Sequence, residues 1–302
     1  MDTQTQNVFE HLRALANKAV ALLDDLPARR ALIDTYFQVD GQAASVIGSV
    51  QPDVCGDIPL EWVCAPGVDT VRRTLYIHGG SWVSGSLAGY RALASRVSEA
   101  TGTAVLLVDY KLAPEHPFPS GLMDCTMAFQ WMRENGPDGA SLASQSLIMG
   151  DSAGGNLTLA AFLALQDADG PVPDGLVALS PATDFTGGSP SLQTHAERDP
   201  VIHPLVYKAL APLYLGGKEP RHPWASPLFG DFTQAPPVLL QVGSEEVLLD
   251  DSTRLAEHIE QQGGRVELHV WDDMPHVFQG FAPALTQANS AISQIGAFVK
   301  GL

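Results

Sequence analysis

The stretch Ser146 to Leu157, SLIMGDSAGGNL, constrains the fold more than any other part of the chain. Leu147 to Gly150 has strand composition, Asp151 to Gly155 a turn, and Asn156 to Ala161 a helix. Gly150 and Gly154 flank Ser152 where such a turn leaves no room for side chains. Gly-x-Ser-x-Gly in this setting is a nucleophile elbow: the turn lifts the Ser152 hydroxyl clear of the sheet, and the following helix aims backbone N–H groups at it. The same serine could serve as a helix N-cap in a Gly-rich turn. Partners elsewhere in the chain must distinguish the two.

The surrounding pattern predicts an α/β fold. Val8, Leu12, Leu15, Ala16, Ala19, Leu22 and Leu23 recur at helical spacing, Pro27 is read as the break, and a second short helix is expected near Arg29 to Phe37. Strands are predicted near Ser45 to Val50, Leu60 to Cys64, Thr74 to Ile77, Ala104 to Val108, Leu147 to Met149, Leu176 to Leu179, Val238 to Gln241 and Glu267 to Val270. Helices are predicted at Leu87 to Ala100, Ser120 to Glu134, after Ser152, at Ser252 to Gln262 and at Ala284 to Val299. Alternation of helices with continuous apolar strands implies a largely parallel sheet covered on both faces. Between Leu179 and Val238 no strand signal occurs, and a helix-like piece lies at His203 to Leu215. A structureless loop of that length is improbable in a compact domain, so an inserted helical lid is expected, packed with the N-terminal helices over one end of the sheet.

Bulk properties narrow the function. With 17 basic against 34 acidic residues the net charge is −17, which disfavours nucleic-acid and anionic-membrane partners. Cys55, Cys64 and Cys125 show no metal-ligand spacing and read as reduced, packed thiols. The first residues lack a basic start and a signal-length apolar core, and no transmembrane-length run occurs, so a soluble cytoplasmic protein is expected.

A serine nucleophile needs an oxyanion hole, a base and an acid. His78-Gly79-Gly80-Ser81-Trp82 follows the third strand, and paired glycines let backbone amides approach a ligand. Among nine histidines, His276 alone lies in a loop after the last strand. Chain order Ser, acid, His puts the acid after the strand VLLQV, where Glu245, Glu246, Asp250 and Asp251 all compete. Asp250 and Asp251 also suit a helix start, as dipole partners. Spacing leaves the choice open.

The segments HGGSW (78–82), DYKLAPEHPFP (109–119), GDSAGGN (150–156), EVLLDD (246–251) and MPHVF (274–278) together resemble the hormone-sensitive-lipase-like, or bacterial family IV, carboxylesterases of the α/β-hydrolases. The resemblance runs from the third strand to the last. It implies the α/β-hydrolase fold with a helical cap, formed by residues 1–42 and an insertion at about 184–225, on a catalytic domain of residues 43–302. The family's Asp-Pro-Leu-x-Asp segment falls on Glu246 to Asp250, which makes Glu246 the acid, a glutamate where the family usually has aspartate. Ser81 likewise stands where the family has a third glycine. The implied roles are Ser152, His276 and Glu246 as triad and the amides of Gly80, Ser81 and Ala153 as oxyanion hole. His78 and Gly79 then support that loop, the prolines and charges of 110–119 tie a neighbouring loop to it, and Trp82 lines the substrate pocket.

The implied activity is hydrolysis of small carboxylic esters of short to medium acyl chain through an acyl-enzyme, with no cofactor and no metal. A lactonase or amidase would use the same triad. The plant gibberellin receptors resemble this family too but lack the catalytic histidine, whereas His276 is present here. A homodimer is compatible with the sequence. Glu246 should raise the His276 pKa and burial should lower it, so the acid limb of activity is expected within about one unit of ~6.5.

Overall fold

A computed structural model of the chain describes residues 1–302 except Leu23 and the side chain of Val206, so the part of the N-terminal apolar pattern that falls on Leu23 lies outside the described residues. The elements run α1 (Thr3–Ala21), α2 (Leu26–Ile33), β1 (Ser49–Cys55), β2 (Ile58–Cys64), β3 (Asp69–Ile77), α3 (Leu87–Thr101), β4 (Thr103–Val108) and α4 (Ser120–Glu134). A small hairpin follows, β5 (Asn135–Gly136) and β6 (Gly139–Ala140), then β7 (Gln145–Asp151), α5 (Ala153–Asp167) and β8 (Gly175–Leu179). The chain ends with α6 (Ser191–Thr194), α7 (Pro204–Leu215), β9 (Val238–Gly243), α8 (Leu249–Gln261), β10 (Val266–Trp271) and α9 (Thr286–Lys300).

Eight strands form one sheet in the order β1-β2-β4-β3-β7-β8-β9-β10. β2 is antiparallel to both β1 and β4, and the pairs from β4 to β10 are parallel. In β4 every residue is buried: Ala104, Leu106 and Val108 join the core under α4 and α5, while Val105 and Leu107 join the core under α3 and α9. A strand with helices on both faces must be apolar at consecutive positions, which is why AVLLV reads as it does. The C-terminal ends of β3, β7, β8, β9 and β10 therefore share one edge of the sheet, the edge where open parallel sheets build their sites. Among the described residues no helix is long and apolar enough to cross a membrane.

Three local expectations are corrected. Pro27 opens α2 instead of merely ending α1: it sits in the first turn, where its missing N–H costs nothing, and the Asp25 side chain accepts the Ala28 amide at 3.0 Å. α2 accordingly ends at Ile33, leaving Tyr36 and Phe37 beyond it. The first strand lies at Ser49–Cys55 and not at Ser45 to Val50, because the preceding run is held to α3 by side chains: Ser95 Oγ accepts the Ile47 amide and Arg96 donates to the Ser45 carbonyl. β1 contains Pro52, tolerated because the strand is an edge.

Candidate active site

Ser152 is the single residue between β7 and α5, with φ 53° and ψ −117°. A non-glycine residue holds such a conformation only where its surroundings enforce it. Its amide donates to the Leu179 carbonyl at 2.8 Å and its carbonyl accepts the Asn156 amide at 3.0 Å. A Cβ on Gly154 would collide with the Ile77 carbonyl, so β3 and the start of α5 approach at a distance only glycine permits.

His276, on the loop after β10, stands 2.9 Å from Ser152 Oγ through Nε2 and 2.6 Å from Glu246 Oε2 through Nδ1. A carboxylate can only accept, so Nδ1 carries the proton toward Glu246 and Nε2 is left to accept from the Ser152 hydroxyl. The other Glu246 oxygen accepts Ser180 Oγ at 2.7 Å and the Gly243 amide at 2.6 Å, and the Tyr36 hydroxyl donates to the His276 carbonyl at 2.9 Å. Glu245 instead pairs with Arg198. Burial disfavours the imidazolium, but the Glu246 carboxylate, with Asp199 and Asp151 behind it, outweighs that and raises the His276 pKa above its ordinary value. The opposition expected from sequence thus resolves upward.

The loop after β3 turns through three successive positive φ angles, 121° at Gly80, 56° at Ser81 and 62° at Trp82. Among the described residues the amides of Gly80 and Ser81 find no acceptor within the chain. The Ala153 amide, first of α5, is free for the general reason that helix N-termini leave donors over. Gly79, by contrast, is committed: its amide meets the Tyr90 hydroxyl at 3.0 Å and Asp151 Oδ1 at 3.2 Å. His78 is buried, donates from Nδ1 to the Gly79 carbonyl at 2.7 Å and stacks on Tyr110 with ring centroids 4.4 Å apart. Burial lowers its pKa to about 4, so it is neutral.

Asp151 was assigned no role from sequence, although it lies inside GDSAGGN. Burial raises its pKa to about 6, while Tyr90, Tyr76 and the Gly79 amide hydrogen-bond its carboxylate and oppose that. It links the elbow to the Gly79 end of the neighbouring loop.

Above Ser152 lies a cavity of about 480 Å³, lined among others by Leu15 and Ala19 of α1, Ile33 of α2, Ser81, Trp82 and Leu210 of α7. Trp82 both lines it and packs: its ring stacks on Tyr214 at 4.7 Å and lies 4.8 Å from Phe185. The indole N–H meets Asn156 Oδ1 at 3.3 Å, and Asn156 Nδ2 donates to the carbonyls of Ala182 and Ala225, each at 2.8 Å. Asn156 belongs to the elbow motif, yet nothing local in the sequence tells that its partners lie near 182 and 225.

Two further readings change. Asp250 and Asp251 do stand in the first turn of α8, but they are more than dipole partners. Buried Asp251 accepts the amides of Thr183 and Asp184 and the Ser189 hydroxyl, and Asp250 accepts the Ser191 amide, so both hold the segment after β8. The charged loop at 110–119 is tied to the HGGSW segment through uncharged contacts, Ala113 N–H to the Trp82 carbonyl at 2.9 Å and the Tyr110 hydroxyl to the His78 carbonyl at 2.9 Å. Its Glu115 pairs with Arg30 of α2 at 2.7 Å. Asp199, also unassigned from sequence, lines the cavity, accepts the amides of Val201, Ile202 and Val247, and is raised to about 6 by burial.

A family model described as the alpha/beta hydrolase fold matches residues 74–280. An acetyl-hydrolase of Streptomyces hygroscopicus is 39% identical over 91% of this chain and 90% of its own length. An esterase of Acinetobacter venetianus is 36% identical over 75% of this chain and 74% of its own. The crystal structure of an esterase from the bacterial hormone-sensitive lipase family superposes with a TM-score of 0.90 at 36% identity, covering 100% of this chain and 98% of that one.

Proposed function

The chain belongs to the α/β-hydrolase fold family, among its hormone-sensitive-lipase-like carboxylesterases, and on that premise we propose that it cleaves carboxylic esters through an acyl-enzyme on Ser152. The observation that carries this reading is the continuous hydrogen-bonded series Ser152 Oγ, His276, Glu246, at 2.9 and 2.6 Å, beneath an apolar cavity. Ser152 attacks the ester carbonyl while His276 Nε2 takes its proton. Glu246, held by Ser180 and Gly243, keeps the imidazole in the accepting tautomer and stabilises the imidazolium. The unengaged amides of Gly80, Ser81 and Ala153 receive the oxyanion. His276 then protonates the departing alcohol, and water, activated the same way, releases the acid.

α1, α2 and the segment at about 184–225 act as a cap, because their side chains wall the cavity over Ser152. A cavity of about 480 Å³ suits a small molecule and not a triglyceride, which supports a preference for acyl chains of two to eight carbons. The test is a panel of p-nitrophenyl esters from two to sixteen carbons on the native protein and on Ser152→Ala and His276→Ala. Both variants should lose on the order of 10³-fold or more in kcat with unchanged circular dichroism. Near-native turnover in either, or a panel peaking at twelve carbons or beyond, contradicts the reading.

A further inference from the structure

Two consecutive arginines of α2 have opposite circumstances. Arg30 is fully engaged: it donates to the Val83 carbonyl at 2.8 Å and the Ala113 carbonyl at 3.2 Å, and it pairs with Glu115. Arg29 is half-buried in the wall of the cavity over Ser152 and, among the described residues, its guanidinium makes no hydrogen bond or ion pair. Burial works against its charge and no carboxylate offsets that.

The other polar side chains of the wall are differently placed. Asp199 accepts three backbone amides, exposed His203 accepts the Leu205 amide through Nδ1, and the Tyr207 hydroxyl donates to the Asp184 carbonyl. Ser81 and Ser152 belong to the reaction centre, and Asn17 is exposed. Among the described residues Arg29 is the one arginine or lysine in the wall of an otherwise largely apolar chamber.

We propose that Arg29 is a specificity residue that binds an anionic group, carboxylate or phosphate, carried by the ester substrate at a distance from the scissile carbonyl. The proposal rests on the esterase reading above. A guanidinium offers a planar fork that matches such a group bidentately, and apolar walls strengthen the attraction relative to open water. The overall charge of −17 repels anions at long range, but beyond a screening length of about 8 Å at physiological salt that field is weak, and the nearest charge governs. Asp199, the carboxylate of the same cavity, bears on His276 and not on Arg29. The chamber is therefore negative beside the base and positive at α2.

The anion could sit on the acyl or on the alcohol side, and matched substrates separate the two. One arm compares p-nitrophenyl ω-carboxyalkanoates with p-nitrophenyl alkanoates of equal length. The other compares butyrate esters of ω-hydroxy acids and ω-hydroxyalkyl phosphates with those of plain alcohols. The readout is the ratio of kcat/KM for the charged and neutral members. In at least one arm the native ratio should exceed that of Arg29→Gln by about tenfold or more, through KM, with Arg29→Lys largely retaining it and Arg29→Glu lowering it further. Added salt should shrink the native ratio toward that of Arg29→Gln. Equal ratios in native protein and Arg29→Gln at every chain length in both arms would overturn the proposal, as would a loss shared equally by charged and neutral esters. If the native protein hydrolysed none of the neutral esters, the esterase reading itself would fall and this proposal with it, whereas neutral turnover without charge discrimination removes only the proposal.

Discussion

His276 Nδ1 and Glu246 Oε2 lie 2.6 Å apart, while the carboxylate one residue earlier, Glu245, is bound to Arg198. Adjacent side chains on this short connection between β9 and α8 diverge, so two glutamates identical in chemistry have unrelated surroundings: Glu246 is buried against the imidazole, and Arg198 is half exposed.

Glu246→Gln should be crippling and Glu245→Gln mild. A carboxamide in place of the Glu246 carboxylate would present a donor or a weaker acceptor to His276 Nδ1, and loss of the correct tautomer in a comparable triad costs about 10⁴ in kcat. The Glu245–Arg198 pair is partly exposed, so its loss should cost no more than about 1 kcal/mol of stability. Steady-state kinetics and urea titration of both variants check this, and the opposite ranking would show that Glu245 is the acid.

The pH profile should have its acid limb above the ordinary histidine value near 6.5, because the carboxylates around His276 raise its pKa despite burial. The base works only when neutral, so kcat/KM rises with pH through that raised value and then levels off. Glu246→Gln removes the strongest raising influence, so its residual activity should show a limb displaced to lower pH. An acid limb below 6 in the native protein would contradict the direction.

How much of this was legible in the sequence depended on the separation of the groups involved. The turn at Ser152 and the loop at His78 to Trp82 announce themselves within a few residues, since glycine is demanded locally by backbone approach and positive φ, whereas His276 is marked by its place after the last strand and by the segment MPHVF. The parallel sheet was legible because strands buried on both faces must be continuously apolar. What the sequence left unread are groups whose partners lie far along the chain: Asp151 with Tyr76 and Tyr90, Asp251 with Thr183, Asn156 with Ala225, and Arg30 with Val83. No periodicity encodes such pairs. The first strand was misplaced for a related reason, since Gln51-Pro52-Asp53 has poor strand propensity and is held only as an edge.

Asn156→Leu should be strongly destabilising. The substitution leaves the Ala182 and Ala225 carbonyls and the Trp82 indole N–H without their buried partner, at about 1–3 kcal/mol for each unsatisfied group, with partial relaxation reducing the sum. A loss of about 2–5 kcal/mol in denaturant unfolding, with KM raised as Trp82 shifts, is the expected result. A native-like midpoint and native KM would show that Asn156 supports neither the cavity wall nor the fold.

Arg30→Met should loosen α2 from the loop beyond Trp82. It removes charge-assisted hydrogen bonds to Val83 and Ala113 and the pair with Glu115, so a loss of about 1–3 kcal/mol is expected. KM should rise more than kcat falls, since the cavity wall and not the triad is disturbed. Limited proteolysis around residues 22–34 should become faster; unchanged cleavage and KM would mean that α2 is held by packing alone.

Covalent trapping with diethyl p-nitrophenyl phosphate followed by peptide mass mapping decides whether Ser152 is the nucleophile that would carry the acyl group. One diethylphosphoryl group per chain is expected, located on Ser152, with p-nitrophenol released in equal amount and esterase activity lost in parallel. Ser152→Ala should take up none. Stoichiometric modification of another residue with loss of activity, or activity that persists after Ser152 is fully modified, would contradict it.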